Sequence, residues 1–128
     1  MPIKKVTISE FITLAESHPV IDVRSPGEYK HAHIPRAFNI PLFSDEERKV
    51  VGTTYKQQGK QKAIKIGLEY FGVKMKSIVE EAESIIKKQK STTNTLLIHC
   101  WRGGMRSAGI AWLLDRKSTR LNSSHLVI

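Results

Sequence analysis

Cysteine is almost absent from this 128-residue sequence, which contains a single one, Cys100. One cysteine cannot form a disulfide within the chain, and such usage is typical of proteins from the reducing cytoplasm. No apolar run approaches the roughly 20 residues of a transmembrane helix. The first residues also lack the long apolar segment of a secretory signal. The sequence therefore predicts a cytoplasmic protein with no membrane partner.

Acidic residues are in the minority, with 12 Asp and Glu against 21 Lys and Arg, so the formal net charge is +9. This balance favours anionic partners, either phosphorylated small molecules or RNA, but it does not select between them. A solvated basic surface explains the same charge. The apolar content of 40% and charged content of 26% are those of an ordinary globular protein, and the length fits one domain.

Strand-like and helix-like segments alternate along the chain. Short apolar segments bounded by turn residues predict buried strands at 20–23, 38–40 and 95–100. Helical spacing of apolar residues predicts helices at 10–17 (capped by Ser9), at 71–86, and from Ser107 onward. Alternation of this kind predicts an α/β fold with a parallel sheet flanked by helices.

Two regions fit this pattern less simply. Residues 42–72 are polar and lysine-rich, and we interpret them as a helical insertion whose first acids, at 45–47, cap a helix. After Asp115 the sequence loses its periodicity and resembles a translated sequencing adapter. We therefore assign 1–115 to the domain and 116–128 to a non-native-looking tail. Without a further strand, 95–99 would lack a partner on one side, so we expect marginal stability or self-association, with 116–124 mobile.

The loop after the predicted strand 95–100 carries the clearest chemistry. Cys100 falls at the carboxyl end of that strand, where open α/β folds place ligand crevices. Gly103 and Gly104 allow backbone N–H groups to form an anion-binding nest, and Arg102 and Arg106 add positive charge. A buried core cysteine would need none of these features. They stabilise a thiolate over a thiol, and the thiolate is the nucleophile.

Two enzyme classes would use such a loop. His99-Cys100, followed after five residues by Arg106-Ser107, fits the H-C-x5-R-[ST] pattern of cysteine phosphatases, in which the arginine binds phosphate. Rhodanese-like sulfurtransferases instead carry a terminal sulfur or selenium atom on the loop cysteine. The loop by itself leaves both alternatives open.

An upstream segment, IDVRSPGEYKHAHIPRAFNIPL, strongly resembles the rhodanese signature D-V-R-x-x-x-E-[YF]-x-x-x-H-I-x-x-A-x-N-[IL]. The matching residues are Asp22, Val23, Arg24, Glu28, Tyr29, His33, Ile34, Ala37 and Asn39. The resemblance implies a rhodanese fold with Cys100 as the acceptor. It also implies that the charged members of the signature hold the far wall of the crevice as scaffold: Asp22, Arg24, Glu28 and His33.

A narrower resemblance combines PLFSDEERKVVGTTYKQQGKQKAIKIGLE with CWRGGMRS. Together they look like the N-terminal domain of the bacterial tRNA 2-selenouridine synthase family. That resemblance implies exchange of sulfur for selenium at the wobble 2-thiouridine of tRNA, with selenophosphate and geranyl diphosphate as substrates and no tightly bound cofactor. Cys100 would be catalytic, as a selanyl-cysteine intermediate. The anion cradle would consist of Trp101, Arg102, Gly103, Gly104, Met105, Arg106 and Ser107.

Several alternatives accompany this interpretation. The family carries a C-terminal P-loop domain whose motif does not occur in this sequence. A stand-alone persulfide sulfurtransferase and a non-catalytic tRNA-binding module therefore stay open as alternative functions, with a phosphatase ranked last.

Lysines 56, 60, 62 and 65 fit either tRNA phosphates or a solvated face. No metal is predicted, since His31 and His33 are badly spaced for one and have no cysteine cluster nearby.

Overall fold

A computed structural model describes residues 3–88, 95–100 and 105–116 in full, together with the backbone of residues 117 and 124–127. The strands are β1 Lys4–Lys5, β2 Val20–Asp22, β3 Phe38–Asn39, β4 Thr95–His99 and β5 Ser124–Val127. The helices are α1 Ile8–Leu14, α2 Pro26–His31, α3 Asp45–Gln58, α4 Lys60–Lys88 and α5 Met105–Lys117.

The strands form one sheet in the order β1-β5-β4-β2-β3, with every neighbouring pair parallel. The α/β fold with a parallel sheet is therefore confirmed. In the centre, Ile21 of β2 is opposite Ile98 of β4, and Asp22 is opposite His99. Both strands thus end at the same edge of the sheet, and Cys100 follows directly after that edge.

The two faces of the sheet have separate cores because side chains alternate along a strand. On one face, Ile21 and Ile98 belong to a cluster with residues of α4 and α5, among them Phe71 and Ile110. On the other face, Val20 and Leu97 pack with Phe11 of α1. Helices therefore cover both sides of the sheet, as the near-continuous apolar strands predict.

The predicted insertion 42–72 is helical. It comprises α3 and the first half of the 29-residue α4, and Gly59, with a φ of 92°, separates the two helices. The predicted helix 71–86 is the second half of α4. Ser44 is the N-cap of α3 and forms a capping box with Glu47. The prediction that the acids at 45–47 begin a helix is thus confirmed.

The first helix differs from its prediction. It begins at Ile8 rather than Glu10, and Thr7 rather than Ser9 is the cap. Thr7 Oγ1 accepts from the backbone N–H of Glu10, while the Glu10 carboxylate accepts from that of Thr7. Only Thr7 has a Glu three residues later, and this reciprocal capping box decides between the two candidate caps.

The tail contributes to the sheet. Helix α5 continues to Lys117, and β5 pairs with β4 on one side and with β1 on the other, with Thr95 opposite Ser124 and Ile98 opposite Val127. The prediction that one side of 95–99 lacks a partner is therefore wrong. Four residues are enough to form β5 because this strand makes hydrogen bonds on both sides, to β4 and to β1. Most of the segment predicted to be mobile, residues 118–123, lies outside the described residues.

Candidate active site

Cys100 lies directly after β4 and is 5% exposed. Its thiol donates to Ser107 Oγ at 3.2 Å, and the backbone N–H of Ser107 donates to the sulfur at 3.4 Å. Ser107 is the third residue of α5, so an N–H of the first helical turn points at the sulfur. Helix N-termini favour negative charge, and the sulfur therefore lies at the electropositive end of α5.

The neighbouring strand ends in a buried ion pair. Asp22 is fully buried, and its carboxylate accepts from Arg24 Nε at 3.0 Å and from Arg24 Nη2 at 2.7 Å. This hydrogen bonding to Asp22 raises the pKa of Arg24 above its usual value despite partial burial. Asn39 Nδ2 donates to the carbonyls of Asp22 and Arg24. The signature residues thus fix the backbone beside the cysteine.

Glu28 joins three elements through one carboxylate. Its Oε1 accepts from Arg106 Nη1 of α5 at 2.7 Å and lies 3.1 Å from Arg48 Nε of α3. The same oxygen accepts from the backbone N–H and the hydroxyl of Ser25, which precedes α2. Burial alone would raise the pKa of Glu28, but the hydrogen bonds from Arg106 and Ser25 outweigh it and lower that pKa to about 2.

The predicted cradle residues are placed unequally. Ser107 contacts the cysteine sulfur, Arg106 binds Glu28, and Met105 is exposed at the start of α5. Trp101, Arg102, Gly103 and Gly104 lie outside the described residues, so their part in the cradle stays a prediction.

The four predicted scaffold residues divide into two groups. Asp22, Arg24 and Glu28 lie at the carboxyl edge of the sheet, near the cysteine. His33 is exposed, and its ring stacks on Tyr29 at a centroid distance of 3.7 Å. His33 also lines a separate cavity together with Val20, the first residue of β2, at the opposite end of that strand from Asp22.

Sequence reasoning gave no role to His99. Its side chain extends from the same face of β4 as Leu97, and its ring contacts Phe11 at a centroid distance of 6.1 Å. Among the described residues, its Nδ1 is buried without a hydrogen-bond partner. Burial lowers the pKa of His99 by more than nearby Asp22 raises it, so the ring is neutral at pH 7. The alternation of side chains along 95–100 could have predicted that the His99 side chain lies on the same face of the strand as Leu97.

A groove of about 1070 Å³ lies between α3, α4 and α5, beside Glu28 and Arg106. Its apolar lining includes three half-exposed side chains: Leu68, Met105 and Trp112. The sequence alone does not predict that these side chains lie close together. Its charged lining residues are Glu28, Arg48, Lys60 and Arg106. The groove therefore has the apolar lining with a few polar groups that is typical of ligand sites, and it includes the first two residues of α5.

The described part of the chain offers neither a metal-ligand cluster nor a membrane-spanning helix. No group of three or more His, Cys, Asp or Glu side chains there is arranged to hold a metal ion. No helix among those residues is both long and apolar enough to span a membrane.

Comparison with known proteins gives a consistent family. The rhodanese-like domain model matches residues 7–125. The tRNA 2-selenouridine synthase of Nitrosomonas europaea is 42% identical over 100 residues, which are 76% of this chain and 25% of that protein. The synthase of Bdellovibrio bacteriovorus is 35% identical over 117 residues, or 90% of this chain and 30% of that protein.

A solved structure extends the comparison. The N-terminal domain of a Clostridium difficile 630 protein, described as ATP/GTP binding, superposes with a TM-score of 0.79 and 37% identity. The superposition covers 98% of this chain and 90% of that domain. The chain spans between a quarter and a third of the length of the curated synthases it matches. It belongs to the rhodanese-like domain family.

Proposed function

We propose that this rhodanese-like domain is the chalcogen-transferring part of a tRNA 2-selenouridine synthase, with Cys100 as the nucleophile. The observation that carries the proposal is the contact between the backbone nitrogen of Ser107 and the sulfur of Cys100, which are 3.4 Å apart. The chain in which this contact occurs is 42% identical to such a synthase over 100 residues. Because the chain spans a quarter to a third of those proteins, the complete reaction would need the C-terminal P-loop domain of that family.

The chemistry of Cys100 is that of a thiolate carrier. With thiosulfate as donor, the thiolate attacks the outer sulfur, a new S–S bond forms, and the thiosulfate S–S bond breaks. Sulfite leaves with the electron pair, and Cys100 becomes a persulfide. The N–H and hydroxyl of Ser107 are positioned to donate to the negative sulfur of Cys100 at the start of this step.

The substrates proposed for the whole synthase are selenophosphate, geranyl diphosphate and tRNA carrying 2-thiouridine. In the geranylation step the thiocarbonyl sulfur attacks carbon 1 of geranyl diphosphate, a C–S bond forms, and diphosphate leaves with the electrons of the C–O bond. The groove between α3, α4 and α5 is a suitable apolar site for the geranyl chain. Exposed lysines at 60, 62 and 65, at the start of α4, suit the phosphates of tRNA.

The phosphatase alternative has less support from the site. A phosphatase would use Arg106 to bind the phosphate, but Arg106 donates to Glu28 at 2.7 Å. The stand-alone sulfurtransferase uses the same Cys100 chemistry, so it differs from the synthase only in its acceptor. Selenium incorporation into tRNA, assayed with the P-loop domain added, separates these two candidates.

The first test compares wild-type protein with Cys100→Ser in sulfur transfer from thiosulfate to cyanide and in hydrolysis of an aryl phosphate. We expect transfer by the wild type, none by Cys100→Ser, and little hydrolysis by either. Ser84→Ala, at an exposed position of α4, is the matched control and should transfer normally. Aryl phosphate turnover that depends on Cys100, without sulfur transfer, would contradict the proposal and favour a phosphatase.

A further inference from the structure

The charges that line the groove near Glu28 are not balanced. Arg48 and Arg106 both bind the Glu28 carboxylate, and all three residues line the groove. Two guanidinium groups and one carboxylate leave one net positive charge at this end of the groove, whose other charged lining residue is Lys60. A ligand with an apolar chain and an anionic group would match both properties of the site.

The three side chains differ in their access to solvent. Glu28 retains 14% exposure and Arg106 17%, so both are largely enclosed by the protein. Arg48 retains 54% exposure and contacts Glu28 through Nε at 3.1 Å. This ion pair uses Nε, whereas the donors that bind phosphate oxygens in pairs are the two terminal nitrogens of the guanidinium group. Arg48 is therefore the member of the cluster that a ligand can reach.

Helix α3 holds Arg48 in a fixed position. Two of the three acids of its first turn make contacts with other elements or with the cap: Asp45 accepts from the Gly27 N–H at 2.9 Å, and Glu47 binds the Ser44 N–H and Lys74. These contacts attach the beginning of α3 to α2 and α4. The carboxylate that pairs with Arg48 is that of Glu28, and Glu28 is shared with Arg106.

We propose that Arg48 binds the phosphate end of the ligand whose apolar chain occupies the groove. This inference rests on the proposed function, since it assumes that the groove holds a prenyl-type substrate. Arg48 keeps its Nε contact with Glu28 and donates through its terminal nitrogens to the phosphate oxygens. The insertion thereby supplies a binding residue for this ligand.

The test measures binding of geranyl diphosphate and of geraniol, which has the same chain without phosphate, by calorimetry on the full chain. Arg48→Gln should weaken geranyl diphosphate binding about tenfold or more and leave geraniol binding unchanged. Arg48→Lys keeps the charge but loses the paired donors, so it should fall between Arg48→Gln and the wild type. The matched control is Lys49→Gln, which removes one charge from the next residue of α3, outside the groove.

Each outcome is decisive. Equal losses in Arg48→Gln and Lys49→Gln, or no loss in either, would overturn the role of Arg48 while leaving the groove assignment intact. Failure of the wild type to bind either ligand would contradict the groove as a substrate site, and the role of Arg48 with it. Loss of geraniol binding in Arg48→Gln would show that the residue supports the groove rather than the phosphate, and would also overturn the proposal.

Discussion

Removing the charge of Glu28 should destabilise the fold at pH 7 and do so much less in acid. Glu28→Gln keeps the size of the side chain but removes the carboxylate that pairs with Arg106, which is 17% exposed. The folded-state pKa of about 2 lies below the ordinary value of 4.5. The stabilisation by ionised Glu28 is therefore present above about pH 4.5 and is lost as the pH falls towards 2.

The size of the effect follows from the same pKa values. A difference of about two and a half units, at about 1.4 kcal/mol per unit, sets an upper limit of about 3.5 kcal/mol. Solvent around the exposed Arg48 screens the cluster and reduces this contribution, so we expect about 1–3 kcal/mol at pH 7. At pH 3 the unfolded chain already binds the proton. Less than half of the contribution should then remain.

The assay is urea unfolding of wild type and Glu28→Gln at pH 7 and at pH 3, with the difference in unfolding free energy compared between the two conditions. Glu80→Gln, at an exposed position of α4, is the matched control and should change stability little at either pH. A Glu28→Gln effect that is the same at both pH values would refute the argument that the ionised carboxylate joins the three elements.

Other substitutions test separate contacts. Asp22→Ala removes the fully buried carboxylate that forms the ion pair with Arg24. This substitution should lower the unfolding free energy by about 3–5 kcal/mol in urea titrations. Ser44→Ala removes the N-cap of α3 and should cost about 1 kcal/mol in the same measurement, with Ser84→Ala near zero. Ser107→Ala removes the hydroxyl at 3.2 Å from the Cys100 sulfur and should slow sulfur transfer roughly tenfold without loss of helix by circular dichroism. Equal transfer rates in wild type and Ser107→Ala would show that the hydroxyl is not used.

The sequence predicted the parallel sheet and the place of Cys100 because both depend on local patterns. Apolar β-branched segments identify the central strands. Ser107 follows Cys100 by seven positions, across a strand end and a helix start. That short path brings the sulfur to the first turn of α5. The signature residues Asp22 and Arg24 are two positions apart, and their ion pair is equally local.

The features that sequence reasoning missed depend on distant contacts. Glu28 and Arg106 are 78 residues apart, and their pairing exists only once α2 and α5 pack beside the sheet. The groove likewise needs α3, α4 and α5 together. The tail was misjudged because Leu126 and Val127 form too short a segment to predict a strand alone. Its pairing with β4 and β1 is a property of the assembled sheet.

The most direct test of the central claim is the mass of the peptide that contains Cys100 after the folded protein is treated with thiosulfate. We predict the addition of one sulfur atom to Cys100, its removal by cyanide, and no addition in Cys100→Ser. Alkylation by iodoacetamide in a parallel sample establishes that reagents reach the thiol. A Cys100 that is alkylated but never gains sulfur would contradict its assignment as the chalcogen-carrying nucleophile.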